Sequence, residues 1–162
     1  MAHDLPANVY ARDIMVPRNK LVTLKPDMDV FQGIEILVKN RISGGPVIDS
    51  DGKFLGVFSE KSCMHILVDA VYEQLPTNRI DAFMDRSPNT VDEKTMLLSI
   101  AQLFLTTPRR RLPVLKNGEL VGQVSRRDVV KATLDIVRKS PSHEKNLLYL
   151  SALRERSDAP ID

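Results

Sequence analysis

The sequence predicts an α+β fold: two tandem β-α-β-β-α motifs with small mixed sheets, packed as a pseudo-two-fold pair and followed by a C-terminal helix. Two observations carry that expectation. Residues 23–62 and 90–128 say nearly the same thing. Thr23 recurs as Thr90 and Pro46 as Pro113, 67 positions on; after one deletion, Gly52, Gly56 and Ser59 recur as Gly118, Gly122 and Ser125, 66 positions on. Within each copy, helical apolar spacing is flanked by short strand signals. A unit this short struggles to bury a core alone, so two copies pack together and the clefts between them become the place to look for function. The motifs span residues 9–75 and 78–139, with residues 140–162 as the C-terminal helix and tail.

The elements follow in order. Leu21 to Leu24 and Thr90 to Val91 are short strand signals, and Asp27 and Asp92 are N-cap candidates for the helices that follow. Val30, Ile34, Leu37 and Val38 make one buried helical face; Leu97, Ile100, Ala101, Phe104 and Leu105 make its counterpart. Pro46-Val47-Ile48 and Pro113-Val114-Leu115 begin the next strands. Their turns carry Asp51-Gly52 and Asn117-Gly118, dipeptides suited to positive φ. Phe54 to Phe58 and Leu120 to Val124 return, and the last helices start at Ser59 and Ser125. Pro76-Thr77-Asn78 breaks the chain between repeats, and Ser140-Pro141-Ser142 breaks it again. The segment from Glu144 to Arg156 sets Leu147, Leu148, Leu150 and Leu153 among charges, an amphipathic helix for its own subunit or for a partner.

Composition bounds the function. A charged fraction of 27% with 43% hydrophobic residues is ordinary for a soluble globular chain. No apolar run approaches the roughly 18–20 residues that span a bilayer, so no membrane role is expected. The start, MAHDLPANVYARD, lacks the basic and apolar stretches of a secretory signal. A single cysteine, Cys63, forms no internal bridge and sits in a helical pattern as a core residue. The expected location is the cytoplasm. The net charge of +2 implies no nucleic-acid role by itself. Arg109-Arg110-Arg111 and Arg126-Arg127 are either a solvated basic edge or, if they meet in space, an electropositive mouth for phosphates.

The segment that can carry chemistry is Gly122-Gln123-Val124-Ser125-Arg126-Arg127-Asp128, at a strand-to-helix junction. A helix N-terminus presents unpaired N–H groups and partial positive charge, which favour a phosphate. Ser125 adds a hydroxyl donor, Arg127 a charge-assisted contact, and Asp128 an acceptor for both hydroxyls of a ribose. The same Ser-x-x-Asp spacing also reads as a capping box, and the two roles are compatible.

The order and duplication of these pieces resemble a pair of CBS domains, the motif named after cystathionine β-synthase, paired as a Bateman module. The resemblance rests on Arg12-Asp13-Ile14-Met15, Arg41 to Val47 and Gly56 to Ser59, and on Phe83-Met84-Asp85, Arg110 to Val114 and Gly122 to Asp128. It covers residues 9–139. It implies an adenosine-containing ligand, AMP, ADP, ATP or S-adenosylmethionine, held between the repeats as a regulatory ligand rather than a catalytic cofactor. Carried over, Ser125 and Asp128 match the phosphate and ribose positions, with Gln123 and Arg127 in the same segment. Ile42, Ser43 and Gly44 match the segment that frames the base. Lys20 is a looser match, and Arg110 and Arg111 stand where the family often has a basic pair facing phosphates.

The first repeat departs from this pattern. In Gly56-Val57-Phe58-Ser59-Glu60-Lys61-Ser62, a serine replaces the ribose-binding acid and Glu60 brings negative charge to the helix start. One competent site around Asp128 is therefore expected, with a weak or empty one around Val57, Ser59, Ser62 and Arg109. His3, His65 and His143 lack metal-ligand spacing, Asp49 and Asp51 belong to a turn, and no catalytic motif is present. No metal site and no enzyme are expected.

The sequence thus points to a stand-alone regulatory module that binds an adenine nucleotide and signals to an as yet unidentified protein partner. A structural module with a vestigial cleft is the alternative. By resemblance such modules dimerise face to face, and Met64, Leu67, Val68 and Val71, with Val129, Val130 and Leu134, supply apolar faces for a homodimer. Nucleic-acid binding through the arginines is a third and weaker reading, since the chain has no Trp and no nucleic-acid motif, and an enzymatic role is weaker still.

Overall fold

The computed structural model describes residues 8–72 and 77–139. A short leader, helix α1 (Ala11–Ile14) and strand β1 (Val16–Pro17), precedes the first repeat. That repeat holds α2 (Val30–Asn40), β2 (Gly44–Ile48), β3 (Phe54–Ser59) and α3 (Glu60–Tyr72). A 3-10 turn at Ile80–Ala82 leads into β4 (Val91–Asp92), α4 (Leu97–Thr106), β5 (Arg111–Lys116), β6 (Glu119–Ser125) and α5 (Arg126–Arg138). The fold is mixed α+β with small sheets.

Each repeat is completed by the leader of the other. The second repeat's sheet runs β1-β6-β5-β4, with β4 parallel to β5 and the remaining pairs antiparallel. Its edge strand β1 comes from ahead of the first repeat, with Val16 opposite Gln123. The first repeat keeps only the β2–β3 hairpin as continuous sheet, but single bridges stand where the other sheet has strands. Leu24 pairs parallel with Val47, and Asp85, ahead of the second repeat, pairs antiparallel with Val57. The hydrogen bonds are reciprocal too. Ala11 N–H donates to Thr95 O (2.8 Å) as Ile80 N–H donates to Met28 O (3.0 Å).

The cores repeat the exchange. Ala11, fully buried, sits with Val91, Leu97, Ile100, Phe104 and Val114 of the second repeat. Ile80 and Met84 sit with Leu24, Val30, Val47, Phe58 and Ile66 of the first. Burying one such side chain as fully as Ile80 contributes about 1.5–3 kcal/mol, so neither half closes its core without the other's leader.

This exchange corrects several expectations. Asp27 and Asp92 are not N-caps. Asp29 caps α2, its carboxylate accepting from Phe31 N–H at 2.8 Å, while Asp92 accepts from Lys94 N–H in the turn before α4. The first turns of α2 and α4 are served by the opposite leader: Val30 N–H donates to Asn78 O and Leu97 N–H to Val9 O. Of Leu21 to Leu24 only Leu24 bridges, and the second strand is Val91–Asp92, one residue later than Thr90 to Val91. Val38 and Leu105 lie past the edge of their helices' apolar stripes and are exposed. Cys63 is half-buried at the rim of the first core, not inside it. Val129 is buried in its own repeat. At the second hairpin, Asn117 and Gly118 take φ of 51° and 80°, as a two-residue hairpin turn requires. At the first, only Gly52 is left-handed, and the Asp49 carboxylate holds the loop by accepting from Asp51 and Lys53 N–H. Part of the Pro76-Thr77-Asn78 break and the C-terminal helix lie outside the described residues.

Candidate functional site

A cleft of about 250 Å³ opens where β1 of the leader, β2 of the first repeat and the β6–α5 junction of the second meet. Lys20, Ile42, Gly44, Arg111, Gln123, Ser125 and Asp128 line it, seven residues singled out from sequence. Val16, Leu21 and Val22 line it as well and were not foreseen. Their signal was available in the leader match at Arg12 to Met15, but a two-residue strand shows no periodicity of its own.

The junction is held by a complete capping box. The Asp128 carboxylate accepts from Ser125 N–H and from the Ser125 hydroxyl, both at 2.7 Å, and Asp128 N–H donates to Ser125 Oγ at 3.2 Å. The cap reading is therefore correct, and it does not exclude the other. Both residues also line the cleft, so the box fixes a hydroxyl and a carboxylate at its wall beside a helix N-terminus. Val16 and Ile42 add apolar surface, and Lys20 and Arg111 add two cations. An apolar frame, a carboxylate, a helix N-terminus and paired cations together match the chemistry of a nucleotide.

Three of the expected residues, Ser43, Arg110 and Arg127, sit beyond this cleft. Ser43 and Arg110 line two adjoining cavities, of about 570 and 330 Å³. Arg127 is exposed on α5 and lines neither the cleft nor these cavities. Arg126 instead donates to Phe104 O. The basic clusters thus meet only through Arg110 O accepting from Arg126 N–H.

The equivalent cavity of the first repeat, about 300 Å³, gathers Ser59, Ser62 and Arg109 with Lys61, His65 and Asp85. Val57 lines the neighbouring 330 Å³ cavity instead. Ser62, only 4% exposed, caps α3 by accepting from Ser59 N–H at 3.1 Å. Arg109 and Asp85 form an ion pair of 2.8 Å. These two occupy the places that Ile42 and Val16 hold in the other cleft. Phe83 and Met84 line this cavity too, but it holds a serine where the other cleft has Asp128 and an ion pair where the other has Ile42 and Val16.

Among the described residues, no group of three or more His, Cys, Asp or Glu is placed to hold a metal ion, and no helix is long and apolar enough to cross a membrane. Burial pushes the Cys63 thiol above its ordinary pKa, with the nearby Glu60 charge acting in the same direction.

Comparison with known proteins agrees with the geometry. The CBS domain family model matches residues 11–69 and 80–135. CBSX1 of Arabidopsis thaliana, named as chloroplastic, is 34% identical over 78% of this chain and 64% of its own length. CBSX2 of the same plant, likewise named chloroplastic, is 30% identical over 79% of this chain and 65% of its own. The chain thus spans only about those shares of these relatives. The crystal structure of CBSX2 from Arabidopsis thaliana superposes with a TM-score of 0.71 at 32% identity, over 83% of this chain and 100% of that one. A crystal structure of CBSX2 in complex with AMP superposes with a TM-score of 0.69 at 34% identity, over 78% and 97%. Two matched motifs, exchanged leaders and a cleft between the repeats lead to one conclusion: this chain belongs to the CBS domain family, as a tandem pair of its motifs.

Proposed function

We propose that this chain is a non-enzymatic regulatory module that binds an adenosine-containing ligand, with AMP, ADP, ATP and S-adenosylmethionine as the candidates, in the cleft around Asp128 and signals its presence to a protein partner. The observation that carries this is the meeting, in one cleft, of an apolar frame (Val16, Ile42), a capped helix N-terminus (Ser125, Asp128) and two cations (Lys20, Arg111) drawn from both repeats and a leader. A relative at 34% identity has been crystallised with AMP, which supports the ligand class. Because the walls come from both halves, a ligand that fits one relative placement of the repeats better than another biases that equilibrium. The cytoplasm, a reducing compartment that suits a lone free thiol, is the proposed location.

Thermal melting against AMP, ADP, ATP, S-adenosylmethionine and GTP tests this. A ligand binding only the folded state adds about 2.7 kcal/mol at a hundred times its Kd, which raises the midpoint of a chain this size by about 5–10 °C. A rise with an adenine ligand and none with GTP is the expected result. No rise with any of them would turn attention to the alternative, an assembly module with a vestigial cleft.

One observation favours a second reading alongside the first, a homodimer. Met64, Leu67, Val68 and Val71 of α3 and Val130 and Leu134 of α5 are all 45–69% exposed, an apolar area unusual on a lone surface. Light scattering on the purified chain, repeated with Leu67→Glu and Val130→Glu together, tests it: a dimer that becomes a monomer is the expected outcome.

A further inference from the structure

We infer that the ligand is an adenosine bearing two or more phosphates, whose phosphate chain leaves the cleft, crosses the pseudo-two-fold axis and ends on Lys61 and Arg109 beside the other repeat's cavity. This rests on the adenosine reading of the cleft and goes beyond it in naming the ligand's charge and its path.

The argument begins with space. Small-molecule pockets run about 300–1,000 Å³, and the cleft at about 250 Å³ falls just short. It does not end there. Gly44, Arg111 and Gln123 line both this cleft and a cavity of about 330 Å³, so the two adjoin along a shared wall. That second cavity lies on the axis: Gly44 and Arg111, Pro46 and Pro113, and Val57 and Gln123 are equivalent residues of the two repeats, and both members of each pair line it.

Charge supplies the next step. Lys61, Arg109, Arg110 and Arg111 line the axial cavity against the single carboxylate of Glu60. A run of four cations suits a chain of phosphates, each of which brings further negative charge and further charge-assisted hydrogen bonds. Lys61 and Arg109 also line the first repeat's own cavity, which closes the path on the far side. That cavity suits a second nucleoside less well: beside Phe83 and Met84, the Arg109–Asp85 pair stands where Ile42 and Val16 line the other cleft, and Ser62 stands in place of the acid. Besides Ser59, the residues it shares with the axial cavity are Lys61 and Arg109, both cations. Arg109, at 39% side-chain exposure, can exchange its partly solvated bond to Asp85 for one to a phosphate.

Calorimetric titration of the full chain with AMP, ADP, ATP and inorganic tripolyphosphate at fixed ionic strength tests this. ATP is expected to bind about tenfold or more tightly than AMP, since one charge-assisted contact is worth about that factor. Lys61→Ala and Arg109→Ala should each bring the ATP affinity down towards that of AMP. AMP binding as tightly as ATP would overturn the inference while leaving the adenosine cleft standing, as would variants that weaken both nucleotides equally. Tripolyphosphate binding as tightly as ATP would overturn it as well, exposing a bare anion site. If no adenine nucleotide binds at all, the underlying reading of the cleft fails first.

Discussion

Arg109 and Asp85 are joined by a 2.8 Å ion pair at the positions where Ile42 and Val16 line the cleft across the axis. One repeat has kept apolar groups there and the other has charges, so two copies of one motif offer different chemistry. The asymmetry predicts one AMP per chain. It also predicts how to make a second site: Asp85→Val and Arg109→Ile restore the frame, and Ser62→Asp supplies the acid. The ion pair is partly exposed and worth no more than about 1 kcal/mol, so its removal leaves the fold intact. Calorimetry should then report two AMP per chain. A triple variant that melts normally and still binds one would mean that frame and acid do not decide occupancy.

Asp128 has two jobs, and a single substitution separates them. Asp128→Ala removes the reciprocal half of the capping box, costing about 1 kcal/mol of stability. It also removes the acceptor proposed for the ribose, which should weaken an adenine nucleotide by about tenfold or more. The control is Ser62→Ala, which removes the equivalent acceptor for Ser59 N–H from the first repeat without touching the cleft. Equal affinities in all three proteins would leave Asp128 a helix cap alone.

How much of this was legible in the sequence depends on the range of each interaction. The hairpins, the last helices and the capping box at Ser125 are local, and local spacing foretold them. The leaders are not. Nothing in Val16 or Asp85 indicates which strand will pair with it, because a two-residue strand or a single bridge has no alternation to read and its partner lies in a distant hairpin. That omission explains the others. Asp92 looked like a cap because the carbonyl that serves α4, from Val9, could not be foreseen, and Val16 was missed in the cleft for the same reason. Arg127 was carried over with its segment, but neighbouring helix residues point in different directions, and Ser125 and Asp128 line the cleft while Arg127 does not.

Cys63 should react slowly. Its thiol is half-buried and its pKa is raised, chiefly by burial, so little thiolate exists at neutral pH. Alkylation by iodoacetamide is expected to be several-fold slower than for a peptide thiol near pH 7, and to keep rising with pH beyond the point where the peptide's rate levels off. The stability consequence has a definite sign. With the folded value raised, the contribution of the protonated thiol is complete below the unfolded pKa and is lost as pH rises through the folded one. Cys63→Ala removes that part of the alkaline decline. A rate matching the peptide's would show that the thiol is effectively exposed.

Gly122 links the fold to the site. A Cβ built there would meet the Val16 carbonyl oxygen at 2.7 Å, with Met15 packed on the same side. That oxygen belongs to β1, which must approach β6 closely enough for Val16 to face Gln123 and line the cleft. Gly122→Ala therefore pushes the leader away from the sheet, an overpacking cost of about 1–3 kcal/mol. Because Ala11 leaves the second core with the same leader, the loss should fall on stability and on nucleotide affinity together. Gly118→Ala is the informative comparison. Nothing lies within 4 Å of a Cβ there, and its φ of 80° makes the cost one of backbone strain at a distant turn. It should lower the melting midpoint and leave affinity unchanged. If both variants lose stability yet bind nucleotide like the parent, the exchanged leader is a structural clasp that does not shape the cleft.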